Sequence, residues 1–445
     1  MGSGKGTQRF TPVERTLLIG SVVLITLFAF ESLATTTVMP TVLSELGGVS
    51  WLPLASGAAL AMQVVSSAAA GPLTNWRGPR TVLVVGVSLF AGGLLVAAFS
   101  PSIGFFVAGR ALQGLGAGAA TVPLYVLVGS LVAPLNRPTF FAAFSMAWVL
   151  PSLIGPPIAG LIVQWFGWRP IFWFVPILIA GASLVLSPLL ADLQVETEEV
   201  DVKLARHATL AVVVGVSLLA AQFSSSIEGI WALALLAAAL SVALTGLSRL
   251  LPKGTFRFQA GIPALVATRG LTIAAHVSAT SLVPMVLQDV HGWSAAAASL
   301  AVGLGSLSWA AGSILQARVH TNRVRLVETG AAAIALGLAV LIILPSDWAF
   351  WPLGILGAVI AGLGIGLAHA TLSDLALARL PQSEHATISA ALQIADTAGP
   401  ALALALISVA LIVTGIAGVA PWSAAFAVSL LVALLAVFSA RRIGQ

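Results

Sequence analysis

Three charged residues are predicted to lie deep in the membrane within long apolar stretches of this chain: Glu31, Arg110 and Asp396. A charged side chain at the centre of a bilayer costs about 2.5–3.5 kcal/mol on insertion scales, so such residues usually serve a function. A carboxylate in this position can exchange a proton, and a nearby arginine can set its charge. The pattern indicates proton exchange inside a membrane, with Glu31 and Asp396 as proton-coupling residues and Arg110 as a charge partner.

The depths of Glu31 and Arg110 match. Glu31 lies about 21 Å along the first apolar stretch, and Arg110 lies about 10 Å below the outer end of the fourth, so the two side chains can pair. A static salt bridge that only orients helices is the alternative. Asp396 precedes a predicted kink at Gly399 and Pro400, where it could instead cap backbone groups that the kink exposes.

Other polar residues in apolar stretches are weaker candidates. Gln63, Gln113 and His276 could line a substrate cavity. The alternatives are interhelical amide bonds for the two glutamines and simple packing for the histidine. Three further residues are predicted to lie nearer the cytoplasmic ends of their helices, where long side chains can snorkel to water: Arg269, His369 and Asp374.

The elements that carry these residues are membrane helices. The chain is 59% hydrophobic and only 8% charged, which excludes an ordinary soluble domain. Apolar runs of about 17 to 30 residues suit helices rather than barrel strands. The predicted fold is all-α, a polytopic membrane protein with fourteen transmembrane helices at 17–38, 52–74, 81–99, 103–131, 138–163, 170–190, 208–226, 229–248, 263–288, 294–316, 327–345, 350–378, 385–414 and 421–439.

The basic residues predict the topology. Seventeen of the 20 lysines and arginines fall in every second gap between apolar stretches, and Arg169 alone falls in the alternate gaps. Short loops rich in lysine and arginine stay in the cytoplasm, so both termini are predicted to be cytoplasmic. We expect an integral protein of the plasma membrane, the cytoplasmic membrane in a bacterium. The net charge of +5 is scattered over many loops and does not indicate nucleic-acid binding.

The two halves of the chain repeat each other. Gly71 to Arg77 matches Gly312 to Arg318, the glycine-rich run at 114–118 matches 362–366, and Gly155-Pro156 matches Gly399-Pro400. These matches predict two parallel six-helix repeats separated by an inserted hairpin. The predicted boundaries are a cytoplasmic tail at 1–16, an N-terminal bundle at 17–190, a linker at 191–207, the hairpin at 208–248, a linker at 249–262, a C-terminal bundle at 263–440 and a tail at 441–445.

Several motifs resemble the major facilitator superfamily, most closely its fourteen-helix drug/proton antiporter branch. Arg110, Gln113 and Gly114 match the signature of span 4. The segment from Gly71 to Arg80 resembles the family's loop 2–3 signature, with Asn75 in place of an acid. The resemblance implies a cytoplasmic gate formed by Gly71, Asn75, Arg77, Gly78 and Arg80.

The same resemblance extends to spans 1 and 5. Gly155, Pro156 and Gly160 are similar to the antiporter signature, which is associated with exporters and marks helix kinks that Gly399 and Pro400 repeat in the second half. Glu31, nine residues before Pro40, resembles the span 1 signature of the fourteen-helix branch.

The resemblance implies a proton-coupled exporter of amphipathic, often cationic drugs or related small molecules that works by alternating access. Such a protein is a transporter and not an enzyme. It needs no cofactor or metal and draws on the proton gradient. The expected partners are the substrate, protons and membrane lipids, without nucleic acid, and the expected state is a monomer. A lipid or lipid-conjugate flippase, or a specific metabolite exporter, is the alternative, because fold alone does not separate these activities.

Overall fold

The computed structural model of the protein describes residues 10–133, 136–191, 202–318, 322–346, 352–381, 385–417 and 421–445. Throughout these ranges the regular secondary structure is helical. Three short 3-10 turns lie at Val49–Trp51, Ser224–Ser226 and Thr255–Arg257. The α-helices are α1 (Pro12–Leu46), α2 (Leu52–Ala98), α3 (Ile103–Leu131), α4 (Arg137–Met146), α5 (Val149–Phe166), α6 (Arg169–Ala191), α7 (Val202–Phe223), α8 (Ile230–Leu250), α9 (Ile262–Asp289), α10 (Ala295–Arg318), α11 (Arg323–Leu341), α12 (Pro352–Ala378), α13 (His385–Ala417) and α14 (Trp422–Ala440).

The helices have the lengths that a bilayer requires. Within the described residues, twelve helical segments are long and apolar enough to cross a membrane, and two shorter apolar segments lie at Ile154–Phe166 and Arg169–Leu184. A spanning helix needs about 20 apolar residues. The protein is therefore an all-α polytopic membrane protein, as the hydropathy pattern predicted.

Helix α1 begins earlier than predicted. It starts at Pro12, inside the segment 1–16 that the sequence assigned to a tail, because Thr11 and Glu14 form a capping box. The Glu14 backbone N–H donates to Thr11 Oγ1 at 3.1 Å, and the Thr11 N–H donates to Glu14 Oε2 at 2.9 Å. Glu14 also accepts a bond from the Ala133 N–H at 3.0 Å, so this helix end is tied to the loop after α3.

The predicted fifth span, 138–163, is two helices rather than one. Helix α4 ends at Met146, and α5 begins at Val149. Pro151 accounts for the break, because a proline ring clashes with the carbonyl four residues earlier, here that of Ala147.

The hairpin also begins earlier than predicted. Helix α7 starts at Val202, inside the predicted linker 191–207, whereas the acidic stretch 192–201 lies outside the described residues. Helices α7 and α8 together extend to Leu250, two residues beyond the predicted end of the hairpin.

Predicted spans 2 and 3 form one element, α2, with a sharp turn at Gly78. This residue has φ 80° and ψ 153°, whereas the flanking residues are helical. A residue with a side chain rarely adopts a positive φ, so glycine is required at this point. The two segments of α2, 52–77 and 79–98, run in opposite directions across the membrane.

Glycines in the matching runs make equivalent contacts in the two halves. In α3, Gly114 lies against the backbone of Ala59 and Gly116 against that of Phe90, so α3 packs closely on both segments of α2. In α12, Gly362 lies against Gly305 of α10, and Gly364 lies against Gly330 of α11. Small residues allow membrane helices to approach at this distance. These glycines therefore serve the close packing of helices in both halves.

The outer ends of the first and last helices of each half are also joined in the same way. We call outer the side that the basic residues predict to face away from the cytoplasm. Trp168 Nε1 donates to Glu45 at 2.8 Å between α6 and α1, and Trp422 Nε1 donates to Asp289 at 2.9 Å between α14 and α9. The halves meet where α5 packs on α10 and where the first segment of α2 packs on α13.

Candidate functional site

Glu31 and Arg110 form a buried ion pair between α1 and α3. Arg110 Nη1 donates to Glu31 Oε1 at 2.9 Å, and the two side chains are 7% and 2% exposed. The Thr35 hydroxyl, one turn along α1, donates to the same carboxylate oxygen at 2.5 Å. The pairing predicted from helix depth is confirmed. The carboxylate thus accepts hydrogen bonds from a charged and a neutral donor in an otherwise apolar setting.

Arg110 has further contacts in its own helix. Its Nη1 also donates to the side-chain carbonyl of Gln113, which is 3% exposed. Its Nε is buried and has no hydrogen-bond partner among the described residues. Gln113 therefore supports the ion pair. An unpaired donor on a buried guanidinium leaves the site able to accept one more oxygen ligand.

A second ion pair lies in the other half, between α9 and α13. Arg269 holds Asp396 with two bonds, Nε to Oδ1 at 2.6 Å and Nη2 to Oδ2 at 2.7 Å. Arg269 Nη1 also donates to the Ser373 hydroxyl at 2.8 Å and to the His369 carbonyl. This arrangement is the two-pronged geometry that makes arginine a strong carboxylate partner.

The interpretation of Arg269 and His369 as snorkelling residues was wrong. The Arg269 side chain is only 8% exposed and points inward to Asp396, while His369 Nδ1 lies 4.0 Å from Asp396 Oδ1. The alternative that Asp396 caps a kinked backbone is also disfavoured, because both carboxylate oxygens accept bonds from Arg269. The sequence carried a usable signal: Arg269 and Asp396 lie about 10 and 16 Å from the predicted cytoplasmic ends of their helices, within reach of a long side chain.

Gly399 lets α13 approach α9 beside this pair. A Cβ atom at Gly399 would collide with the carbonyl oxygen of Gly270, the residue that follows Arg269. Pro400 lies in the same helix and lacks the N–H that would bond the carbonyl of Asp396, four residues earlier. The predicted kink pair thus lies where two helices must come close for Arg269 to reach Asp396.

His276 lies on a cavity within the C-terminal helices rather than between the halves, where the sequence placed it. The cavity holds about 20 Å³ and is lined by residues of α9 to α12, including Thr280 and Ser306. This volume suits one water-sized group. His276 Nδ1 is buried without a hydrogen-bond partner among the described residues.

An aromatic column joins this cavity to the second ion pair. Trp309 of α10 lies edge-to-face between His276, at 5.2 Å between ring centroids, and His369, at 5.7 Å. The sequence missed Trp309, because nothing in an isolated apolar helix indicates which ring will pack between two histidines.

Comparison with known proteins places the chain in a family. A family model of the Major Facilitator Superfamily matches residues 19–404. The chain belongs to this superfamily. It is 29% identical over 233 residues to the multidrug transporter protein MdtP of Bacillus subtilis, an alignment that covers 50% of this chain and 43% of that protein. It is also 32% identical over 158 residues to the acurin A biosynthesis cluster MFS-type transporter of Aspergillus aculeatus, covering 36% and 28% of the two proteins. The chain thus aligns with less than half the length of either relative.

Solved structures of the superfamily share the fold. A POT family transporter in complex with 5-aminolevulinic acid superposes with a TM-score of 0.69 over 96% of this chain and 97% of that chain, at 14% sequence identity. At this identity, the likeness concerns the architecture alone. The shared architecture agrees with the membership of the superfamily that the family model shows.

The superfamily motif between the two segments of α2 is partly described. Gly78 forms the turn, and the Arg77 guanidinium lies 4.0 Å above the Trp76 ring. Arg80 is exposed. The structure does not describe the surroundings of Gly71 or the side chain of Asn75. The cytoplasmic gate therefore stays a prediction.

The predicted antiporter signature lies where α5 meets α1 and α10. Gly155, Pro156 and Gly160 are buried. A Cβ atom at Gly155 would lie 3.5 Å from the Phe30 ring of α1, which is an ordinary contact. The neighbouring Pro157 packs on Gly303 of α10, so this stretch of α5 touches both halves of the transporter.

Gln63 and Tyr125 complete the site. Gln63 of α2 is partly buried, and its backbone carbonyl lies beside Gly118 of α3. Tyr125, on α3, is 47% exposed, and its ring lies edge-to-face against Phe144 of α4 at 5.6 Å between centroids. The sequence analysis did not single out Tyr125, although it is the only tyrosine in the chain.

Proposed function

We propose that the protein is a proton-coupled exporter of amphipathic, often cationic small molecules that works by alternating access between its two halves. The observation that carries this proposal is the Glu31–Arg110 pair, a buried carboxylate that is held by an arginine and a threonine inside the membrane. A charged group at this depth is costly to retain unless it serves a function.

The proposed cycle depends on protonation of Glu31. With the carboxylate ionised, Arg110 is neutralised and α1 is held against α3. A proton on Glu31 removes the attraction, leaves Arg110 with an uncompensated charge and favours a rearrangement of these helices. In an exporter, the proton and the substrate must occupy the site alternately. The Arg269–Asp396 pair is the corresponding proton-coupling candidate in the C-terminal half.

The relatives support export. One is named as a multidrug transporter, and another belongs to a biosynthesis cluster for a fungal metabolite. The second name favours the alternative that the substrate is a specific metabolite rather than a range of drugs. Export also fits the glycine and proline pattern at Gly155 and Pro156. We further propose that the protein acts as a monomer in the plasma membrane with both termini in the cytoplasm.

The experiment compares Glu31→Gln with the parent protein in proteoliposomes. The substitution keeps size and hydrogen bonding but removes titration. We expect substrate-driven proton flux to be lost while equilibrium binding of a lipophilic cation falls only modestly. Glu45→Gln, the same change at an exposed carboxylate of α1, is the matched control. If Glu31→Gln pumps against a gradient as well as the parent protein, the Glu31–Arg110 pair is structural and Asp396 becomes the leading coupling residue.

A further inference from the structure

The inserted hairpin packs most closely on the N-terminal half. Gly215 of α7 lies against α2: a Cβ atom there would collide with Val65 and come within 2.9 Å of the Ala61 carbonyl oxygen. Near the outer end, the Gln222 side chain covers Gly57 of α2. Glycine at positions 215 and 57 thus lets α7 and α2 approach closely.

The same hairpin reaches the C-terminal half through one buried amide. Gln222 is fully buried, and its Nε2 donates to the Ala401 carbonyl of α13 at 2.9 Å. The Ser408 hydroxyl of α13 donates to the Gln222 carbonyl at 3.5 Å. Behind these bonds, Ala405 of α13 packs against Ala221 and the small residues of α8. The outer part of α7 therefore contacts α2 and α13, one helix from each half.

We propose that the hairpin α7–α8 is an arm of the N-terminal half that holds α13 through Gln222, and that the Gln222–Ala401 bond opens whenever the outer ends of α2 and α13 separate. The hairpin then favours the state that is closed to the outside. This inference rests on the alternating-access part of the proposed function, but not on the substrate or on proton coupling.

The contacts of α7 with α2 differ from its contacts with α13, and this difference decides which of the two helices separates from α7. Separation of α7 from α2 would break the close approach at Gly215, whereas separation of the hairpin from α13 requires the loss of the Gln222 bond and of the apolar contacts around Ala401 and Ala405. Interhelical hydrogen bonds in membrane proteins shift an equilibrium by about threefold on average, and by more than about tenfold at the upper end. Loss of the Gln222 amide should therefore increase outward opening by about threefold or more.

The test uses the absence of cysteine from the chain. Ala405→Cys places a thiol at the buried contact between α13 and the hairpin, where an impermeant thiol reagent applied from outside reacts only after the contact opens. In this background, Gln222→Ala should raise the labelling rate about threefold or more. Gln222→Leu fills the same space without the amide and should also raise the labelling rate. It provides the test if the alanine variant does not fold.

Two matched controls lie at the same end of the hairpin. Ser226 donates to the carbonyl of Phe223 in its own hairpin at 2.7 Å, and Ser225 donates to the carbonyl of Ser50, next to α2, at 2.6 Å and to the backbone carbonyl of Gln222 at 3.1 Å. Ser226→Ala and Ser225→Ala should leave the Ala405→Cys rate unchanged, because none of these bonds crosses to α13. An unchanged rate in folded Gln222→Leu, or an equal rise in Ser225→Ala, would overturn the proposal.

A cross-linking experiment tests the assignment of the arm to one half. Joining Gln222→Cys to Ala401→Cys with a short bifunctional thiol reagent should stop transport, whereas joining Ser50→Cys to Ser225→Cys, which links the hairpin to the outer end of α2, should leave it intact. Transport that persists in the first pair, or stops only in the second, contradicts the proposal. The labelling experiment needs neither substrate nor proton gradient, so a failed Glu31→Gln test leaves its result unaffected.

Discussion

Gly399 of α13 lies so close to Gly270 of α9 that no side chain fits between them. Arg269 precedes Gly270 and binds Asp396 on α13 with two hydrogen bonds. The close spacing of α9 and α13 therefore makes the second ion pair possible, because the absence of a Cβ atom at Gly399 brings the Arg269 guanidinium within reach of the Asp396 carboxylate.

Gly399→Ala should separate α9 from α13 and weaken the Arg269–Asp396 pair. Overpacking of a close contact costs about 1–3 kcal/mol, so we expect lower thermal stability in detergent and reduced transport. Gly155→Ala is the matched control, since a Cβ there makes an ordinary contact with Phe30 at 3.5 Å. Equal stability of the two variants would contradict the claim that Gly399 sets the spacing between α9 and α13.

Arg110→Met should be more harmful than Arg110→Met combined with Glu31→Gln. The single change leaves a buried carboxylate without its charged partner, which costs about 3–5 kcal/mol in protein interiors, whereas loss of both charges is often nearly neutral. Thermal unfolding of the parent, single and double variants gives the coupling energy. Additive losses would indicate that the two residues do not stabilise each other.

The dependence of substrate affinity on pH separates export from co-transport. In an exporter, protons and a cationic substrate compete for Glu31, so acidification should weaken equilibrium binding of a lipophilic cation. In a co-transporter, a proton on Glu31 frees Arg110 for an acidic substrate, and acidification should strengthen binding. Binding of a fluorescent cation to purified protein across pH provides the measurement, and Glu31→Gln should flatten the profile.

The predicted topology can be tested with single introduced cysteines. Ser226→Cys, in the turn between α7 and α8, should react with an impermeant thiol reagent applied to intact cells. Asn322→Cys, at the start of α11, should react only after the membrane is permeabilised. Labelling of Asn322→Cys in intact cells would contradict the fourteen-span arrangement.

Much of the fold could be predicted from local patterns in the sequence. Apolar run lengths predicted the helices, and helix rise predicted that Glu31 and Arg110 meet. The capping box at Thr11 and Glu14 and the break four residues before Pro151 were also readable, since both follow from local backbone chemistry. They were missed because the boundaries were set by hydropathy alone.

The second ion pair was missed for a different reason. The sequence shows how far Arg269 lies from the end of its helix, but it does not show which helix lies beside it. The place of His276 on a small cavity, the column through Trp309 and the junction at Gln222 depend on the rotation of several helices about their axes. The apolar helices are too uniformly hydrophobic for their sequence to fix that rotation.

The most direct test of the central claim is substrate accumulation by purified parent protein in proteoliposomes under an imposed pH gradient. Proton-coupled exchange predicts that a lipophilic cation accumulates on the acidic side of the membrane, that a protonophore abolishes accumulation, and that Glu31→Gln allows only equilibration. Accumulation that is indifferent to the pH gradient and to the protonophore, or an unaltered Glu31→Gln variant, would contradict the claim that Glu31 couples protons to transport.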